Sequence, residues 1–357
     1  MKKLAIIFFL ANILTLTLLP VSMLMDLPLP EDLPRFYDPE RGFLGRFAIY
    51  DGLNLLRIAE TGYSTEPLYA FFPLYPLLIR ALSILLPSEV AALLISLSSS
   101  FAVSFLLYRQ VKVRNSTVSL LAWLLSPIAV FAMSAYTESL FVFLTLFSWI
   151  KFREEKHLLA GVFAGLGMLT RGAGFIFFGV LGLELLFRKV SWKTLLSFSL
   201  PGGVLGSLYP LFLFFETGDP FKFSTVQSFW QRTLSLPWRG IILDIEALSS
   251  SYLHLPIIIN LLSLTLLVSL CLWAGKKYPF LSLYAFISVI IPLTMPVIHP
   301  GVPATTSLFR YVFGMFPVYL FIGELPFRKG TLLGLLVPYL TVSMLVSVVF
   351  FLKRFIG

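Results

Sequence analysis

Residues 253–274, LHLPIIINLLSLTLLVSLCLWA, contain no Asp, Glu, Lys or Arg. A helix needs about 20 apolar residues to cross a bilayer, and this run supplies them. Comparable runs lie at about 4–25, 90–108, 116–134, 137–150, 158–170, 173–187, 194–215, 279–298, 309–323 and 331–352. Together they predict an all-α polytopic membrane protein with about eleven transmembrane helices. Those shorter than about 17 residues are expected to be tilted, shallow or re-entrant. Composition agrees: 13% of residues are charged, against about 25% in soluble domains, and mean hydropathy is +0.90.

Charge sets an expected orientation. Lys2 and Lys3 precede the 4–25 run, which exceeds the roughly 7–15-residue core of a cleaved signal and lacks a small-residue cleavage pattern. It reads as a signal anchor with a cytoplasmic N-terminus. Arg109, Lys112, Arg114, Lys151, Arg153, Lys156, Arg188, Lys189, Lys193, Lys276, Lys277, Arg328 and Lys329 then all fall inside, as the positive-inside rule requires. The net charge of +9 is spread over such loops, so no nucleic-acid partner is expected.

Outside are a first loop, 26–87, and a second, 216–252, with Glu138 and 299–310 near the same face. Apolar positions 53, 55, 56, 58 and 59 make a helical stripe over 51–61, an interfacial helix that Asp51 is placed to cap and Gly62 to end. The 70–87 stretch is broken by Pro73 and Pro76 and carries Arg80. A central arginine costs about 2.5–3.5 kcal/mol to insert, so this stretch reads as a second interfacial helix that does not cross. Gly161 and Gly165 have G-x-x-x-G spacing for close helix packing. They follow no soluble strand and do not make a nucleotide loop.

Acidic residues are few, which makes the outer ones informative: Asp51, Glu60, Glu66, Glu138, Glu216 and Asp219. A carboxylate can accept a proton from a sugar hydroxyl. An arginine can hold a phosphate through two parallel hydrogen bonds, and Arg171 and Arg310 sit near the outer ends of expected spans, where charge is expensive. Each residue also has a plainer role. Asp51 fits a helix cap, Glu60 an ion pair with Arg57, Arg80 a snorkelling side chain, and Trp230 and Trp238 interfacial anchors. Cys271 is the only cysteine, and His157, His254 and His299 are scattered, so no metal site is expected.

YDGLNLLRIAETGY followed by E-x-x-x-AFFPLYPLLIR resembles the first luminal loop of the PIG-V, or GPI mannosyltransferase II, family (glycosyltransferase family 76). AYTESLFVFLTLFSW at 135–149, LAGVFAGLGMLTRGAGFIF at 159–177, TGDPFKFSTVQSFWQRTLSLPW at 217–238 and FRYVFGMFPVYLFIG at 309–323 agree in order. Tyr50 stands where the family commonly has Trp, and Asn54 and Leu55 where it often has His or another aromatic.

The resemblance implies a single GT-C-type transmembrane domain over 1–357, in a cell membrane or, in a eukaryote, the ER membrane, with its active site on the outer or luminal face. It implies mannose moved from a polyprenyl (dolichyl) phosphate to a hydroxyl of a glycolipid or glycan, with inversion. Asp51 matches the acidic residue of the family's first outer loop and would be the general base; Glu66 matches a glutamate before the A-F-F-P element. Arg171 and Arg310 would meet charge on the departing phosphate. Glu60, Gln227, Trp230 and Tyr311 would help line the substrate groove. No cofactor is required; a weakly held divalent metal is compatible with the chemistry. The alternatives are a flippase for lipid-linked sugars, which needs no base, and a related enzyme using another sugar.

Overall fold

The computed structural model describes residues 2–20, 36–249, 254–299, 302–326 and 329–352, the side chains of 329–336 aside. Among these residues there is no β-strand, only an isolated antiparallel bridge between Arg232 and Val297. Helices occupy all eleven stretches expected to be apolar spans; positions 21–25 of the first stretch and 253 of another lie outside the described residues. The protein is thus an all-helical, multi-pass membrane protein. Four helices are long and apolar enough to cross by length and composition alone: 2–20, Ser88–Arg109, Trp192–Thr217 and His254–Ala274. Shorter apolar helices include His157–Met168, Ala173–Phe187 and Pro279–Leu293.

Two expected spans are broken. The 116–134 stretch forms Ser116–Leu124 and Ala129–Met133, separated at Ser126-Pro127, because proline disfavours helix at the preceding residue. The 309–323 stretch forms Leu308–Phe313 and Phe316–Glu324. Gly314 ends the first piece, its N–H bonding to the Arg310 carbonyl at 2.8 Å.

The chain forms two compact units. The first draws on described residues within Met1–Gly62, Tyr75–Phe143 and Tyr319–Ile356, the second on those within Tyr63–Leu74 and Leu144–Val318.

In the first unit, Ser88–Arg109 packs against the Lys2–Leu16, Asp51–Thr61 and Ser116–Leu124 helices. The Asp51–Thr61 helix buries Leu53, Leu55, Leu56, Ile58 and Ala59, the stripe read from sequence. Gly62 ends it at φ 77°, donating to the Ile58 carbonyl at 2.9 Å. Tyr50, rather than Asp51, is the N-cap residue, and Asp51 is the first residue of the helix. Over 70–87 the α-helix is Leu74–Leu82. At 1.5 Å per residue it is about 13 Å long, short of the roughly 30 Å needed to span. Tyr75 anchors it, its hydroxyl 3.0 Å from the Ala92 carbonyl and 2.7 Å from Ser96 Oγ.

In the second unit, His157–Met168 and Trp192–Thr217 run side by side in the same direction. A Cβ on Gly161 would lie 2.1 Å from the Phe198 carbonyl oxygen, one on Gly165 3.0 Å from that of Gly202, and one on Gly206 2.3 Å from Met168 Cε. Glycines on both helices therefore make the close approach that the Gly161–Gly165 spacing anticipates.

Candidate active site

The segment before Asp51 is clamped from two sides within the first unit. Phe47, Ala48 and Ile49 are buried. The Phe47 carbonyl accepts the Ala135 N–H at 2.9 Å, and the Ile49 carbonyl accepts the Tyr136 hydroxyl at 2.8 Å. Tyr50 donates its N–H to the Phe36 carbonyl at 2.7 Å, with the two rings 5.3 Å apart. These contacts hold Tyr50 at φ 51°, ψ −118°, a conformation that costs a non-glycine residue about 1–3 kcal/mol and is kept only where the surroundings enforce it. Gly52 is required on the other side: a Cβ there would stand 2.9 Å from the Ala135 carbonyl oxygen. Asp51 is fixed between an enforced turn and a contact that admits only hydrogen, and is itself half-buried. Two residues past Tyr136, Glu138 opens the Glu138–Arg153 helix and is fully buried.

Glu60 lies in the last turn of the same short helix and faces a different partner from the one the sequence suggested. Arg41 grips its carboxylate with two bonds of 2.9 and 2.7 Å, and also reaches Glu89 at 2.6 Å. Ser88 donates to Glu60 at 2.5 Å. The Arg41 bonds hold the Glu60 carboxyl below the usual carboxylate range; Arg57 contributes only weakly. Glu60 thus locks the Asp51 helix to the start of Ser88–Arg109.

The second unit gathers Glu66, Gln227 and Trp230. The Glu66–Ala70 turn packs on Lys222–Thr225 and Val226–Trp230. Glu66 pairs with Lys222. Gln227 Nε2 donates to the Phe223 carbonyl at 3.2 Å, and Trp230 meets Phe71 edge-on at 6.0 Å. Beside them Tyr63 stacks on Tyr69 at 5.3 Å and on Tyr209 at 5.9 Å. The Tyr209 hydroxyl donates to the Tyr69 carbonyl at 2.7 Å.

Arg171 occupies the turn after His157–Met168 and is half-buried. That turn joins the Glu66 neighbourhood through the Leu74 N–H, which donates to the Leu169 carbonyl at 2.9 Å. Arg171 also lies within electrostatic reach of Tyr284 on Pro279–Leu293. The Leu308–Phe313 helix, bearing buried Arg310 and half-buried Tyr311, packs on that same helix. Glu66, Arg171, Gln227, Trp230, Arg310 and Tyr311 therefore share one unit, while Asp51 and Glu60 belong to the other. Arg80 and His299 are exposed.

Several organising residues escaped the sequence reading. Asp244, 1% exposed, accepts N–H groups from Ala304 at 2.6 Å and Thr305 at 3.2 Å, and the Thr305 hydroxyl. Burial pushes its carboxyl above the usual range despite these donors. Arg232 donates to the Met295 carbonyl at 3.1 Å, and Asn260 Oδ1 accepts the Phe309 N–H at 3.1 Å. These groups pin the segment leading through Ser307, at φ 66°, to Arg310. The one available signal was an acid within the apolar run IILDI, at 241–245. Among the described residues, no three of His, Cys, Asp and Glu come together as a metal site.

A family model described as mannosyltransferase (PIG-V) matches residues 5–186. GPI mannosyltransferase 2 of Yarrowia lipolytica is 30% identical over 174 residues, covering 44% of this chain and 46% of that protein. GPI alpha-1,6-mannosyltransferase 2 of Rattus norvegicus is 32% identical over 158 residues, covering 39% and 31%. The matches thus span less than half of those relatives' own length. Among solved structures, that of ArnT from Cupriavidus metallidurans bound to undecaprenyl phosphate superimposes with a TM-score of 0.49, at 15% identity, over 98% of this chain and 76% of that one.

Proposed function

The chain belongs to the PIG-V mannosyltransferase family, and from that premise we propose that it is a membrane glycosyltransferase with a GT-C-type fold. In this reading it moves mannose from a polyprenyl phosphate to a hydroxyl of a glycolipid or glycan, on the outer or luminal face. The polyprenyl phosphate is already a good leaving group, so one base is enough. The Asp51 carboxylate takes the proton of the acceptor hydroxyl. The acceptor oxygen bonds to the anomeric carbon from the side opposite the phosphate. The bond from that carbon to the phosphate oxygen breaks, its electron pair leaves with the polyprenyl phosphate, and the configuration inverts.

The observation that carries this reading is the placement of Asp51 within the family-matched region. Directly after it in sequence and space, Gly52 contacts Ala135, and the Tyr50 turn before it is enforced by contacts on both sides. Such over-determination suits a reacting group that must not wander. Arg171 and Arg310 are proposed to meet the negative charge growing on the phosphate. Glu66, Gln227, Trp230 and Tyr311 are proposed to line the groove for sugar or lipid, with the Tyr63–Tyr69–Tyr209 stack extending its apolar side. Glu60, engaged by Arg41, serves to hold the Asp51 helix.

The test is direct. Purified full-length chain in vesicles is given radiolabelled polyprenyl-phosphate-mannose and an acceptor-lipid extract. Label should pass to the acceptor, and unlabelled polyprenyl-phosphate-glucose should compete poorly. Efficient competition by the glucose donor would point to another sugar. Movement of the donor between leaflets without any transfer would point to a flippase.

A further inference from the structure

The Arg239–Ala247 helix of the second loop has two unlike sides. Gly240 and Asp244, four residues apart, are buried, and Asp244 bonds to Ala304 and Thr305. Trp238, Ile242 and Ile245, spaced by four and three, are 55%, 42% and 55% exposed. At helical periodicity these three fall within an arc of roughly 60°, facing away from the buried pair. Leu234 and Leu236 extend the exposed apolar surface, at 85% and 58% exposure, and exposed Arg239 borders it.

A contiguous exposed apolar face beside polar groups marks an interaction surface, and its neighbour identifies the partner. The helix packs on His254–Ala274, an apolar helix long enough to cross a membrane. Leu255, Ile258 and Leu262 of that helix are exposed along one side, the side left for lipid. Arg239–Ala247 thus leaves an apolar face exposed next to a helix that does the same. At about 13 Å the nine-residue helix cannot span a bilayer, but it can lie in its interface. Tryptophan and arginine at its start suit the headgroup level, where an indole sits well and a guanidinium meets phosphate.

We propose that Arg239–Ala247 is a membrane-docking helix: Ile242 and Ile245 enter the acyl region of one leaflet, Trp238 sits at the headgroup level, and Asp244 latches the opposite side to the protein. The partner is the phospholipid bilayer. The inference needs only the chain's membrane character and is independent of the reaction it catalyses.

Site-directed spin labelling tests it on the full chain. In a Cys271→Ser background, Ile242→Cys and Ile245→Cys are each labelled with a nitroxide, with Lys112→Cys, in an exposed loop, as the water-facing reference. The protein is placed in phosphatidylcholine vesicles. Collision rates are then measured with oxygen, which partitions into lipid, and with a water-soluble nickel chelate. The proposal expects oxygen-to-nickel ratios at 242 and 245 several-fold above that at 112. Equal ratios at all three sites would place the face in water and overturn it. Low collision rates with both reagents at 242 and 245 would mean that protein covers the face, and would overturn it equally. Should one isoleucine variant fail to fold, the other carries the test, since either site alone separates lipid from water and from protein.

Discussion

Gly52 is where a single atom decides whether the proposed base is presented correctly. A Cβ there would meet the Ala135 carbonyl oxygen at 2.9 Å, so Gly52→Val must push the Asp51 turn away. We expect it to lower stability by about 1–3 kcal/mol and to abolish transfer with Asp51 intact, read by thermal unfolding and label transfer on one preparation. Wild-type transfer by Gly52→Val would show that the clamp is not needed. Glu60 gives a pH-dependent outcome. Its carboxyl titrates below its ordinary value of 4.5 because of Arg41. Its contribution is therefore fully present above 4.5 and is lost as pH falls through the lowered value. Glu60→Gln should flatten the acid limb of the unfolding-temperature profile below pH 4.5 and leave the profile's shape above it unchanged; an unchanged limb would remove Glu60 from the lock. Sequence alone showed the Asp51 carboxylate and its helix, but not these partners. Glu60 stands 19 residues from Arg41, and no local spacing selects Arg41 over the nearer Arg57. Likewise Asp51 reads as a cap from composition, whereas the enforced Tyr50 turn takes that position.

Among the elements, helices with periodic or unbroken apolar character were legible: Asp51–Thr61 falls on its expected bounds, and Gly161–Gly165 mark a real close packing. Gly161→Val should be severely destabilising, at or beyond the roughly 3 kcal/mol upper end of overpacking, since backbone stands 2.1 Å from the new carbon. The measurement is unfolding in detergent, with Gly203→Val, where nothing lies within 4 Å, as the tolerated control. Equal losses for both would refute the packing argument. What sequence does not reveal is how loops are joined. Residues 231–235 pair with 294–298 through bonds such as Ser235 N–H to the Thr294 carbonyl at 2.8 Å, and Asp244 ties its helix to 304–305. These joins bridge some 60 residues with no repeating pattern. Asp244→Ala should leave the buried Ala304 and Thr305 N–H groups unsatisfied, at about 1–3 kcal/mol, and loosen the approach to Arg310. Reduced stability with transfer unchanged would confine Asp244 to a structural role.

At the scale of the whole molecule, the account combines an all-helical membrane protein, a family match over residues 5–186 and one tightly presented carboxylate. Composition made the membrane character plain, and the family-like motifs pointed to lipid-linked sugar chemistry; the acceptor has no such signature, since a hydroxyl can come from many glycans. The central claim is that Asp51 is the base of a sugar transfer, and one comparison tests it: label transfer from polyprenyl-phosphate-mannose by wild type and Asp51→Asn at equal amounts of folded protein. A general base contributes about 10²–10⁴-fold, so the account predicts a fall of that size with donor binding retained. Transfer by Asp51→Asn within a few-fold of wild type would contradict it.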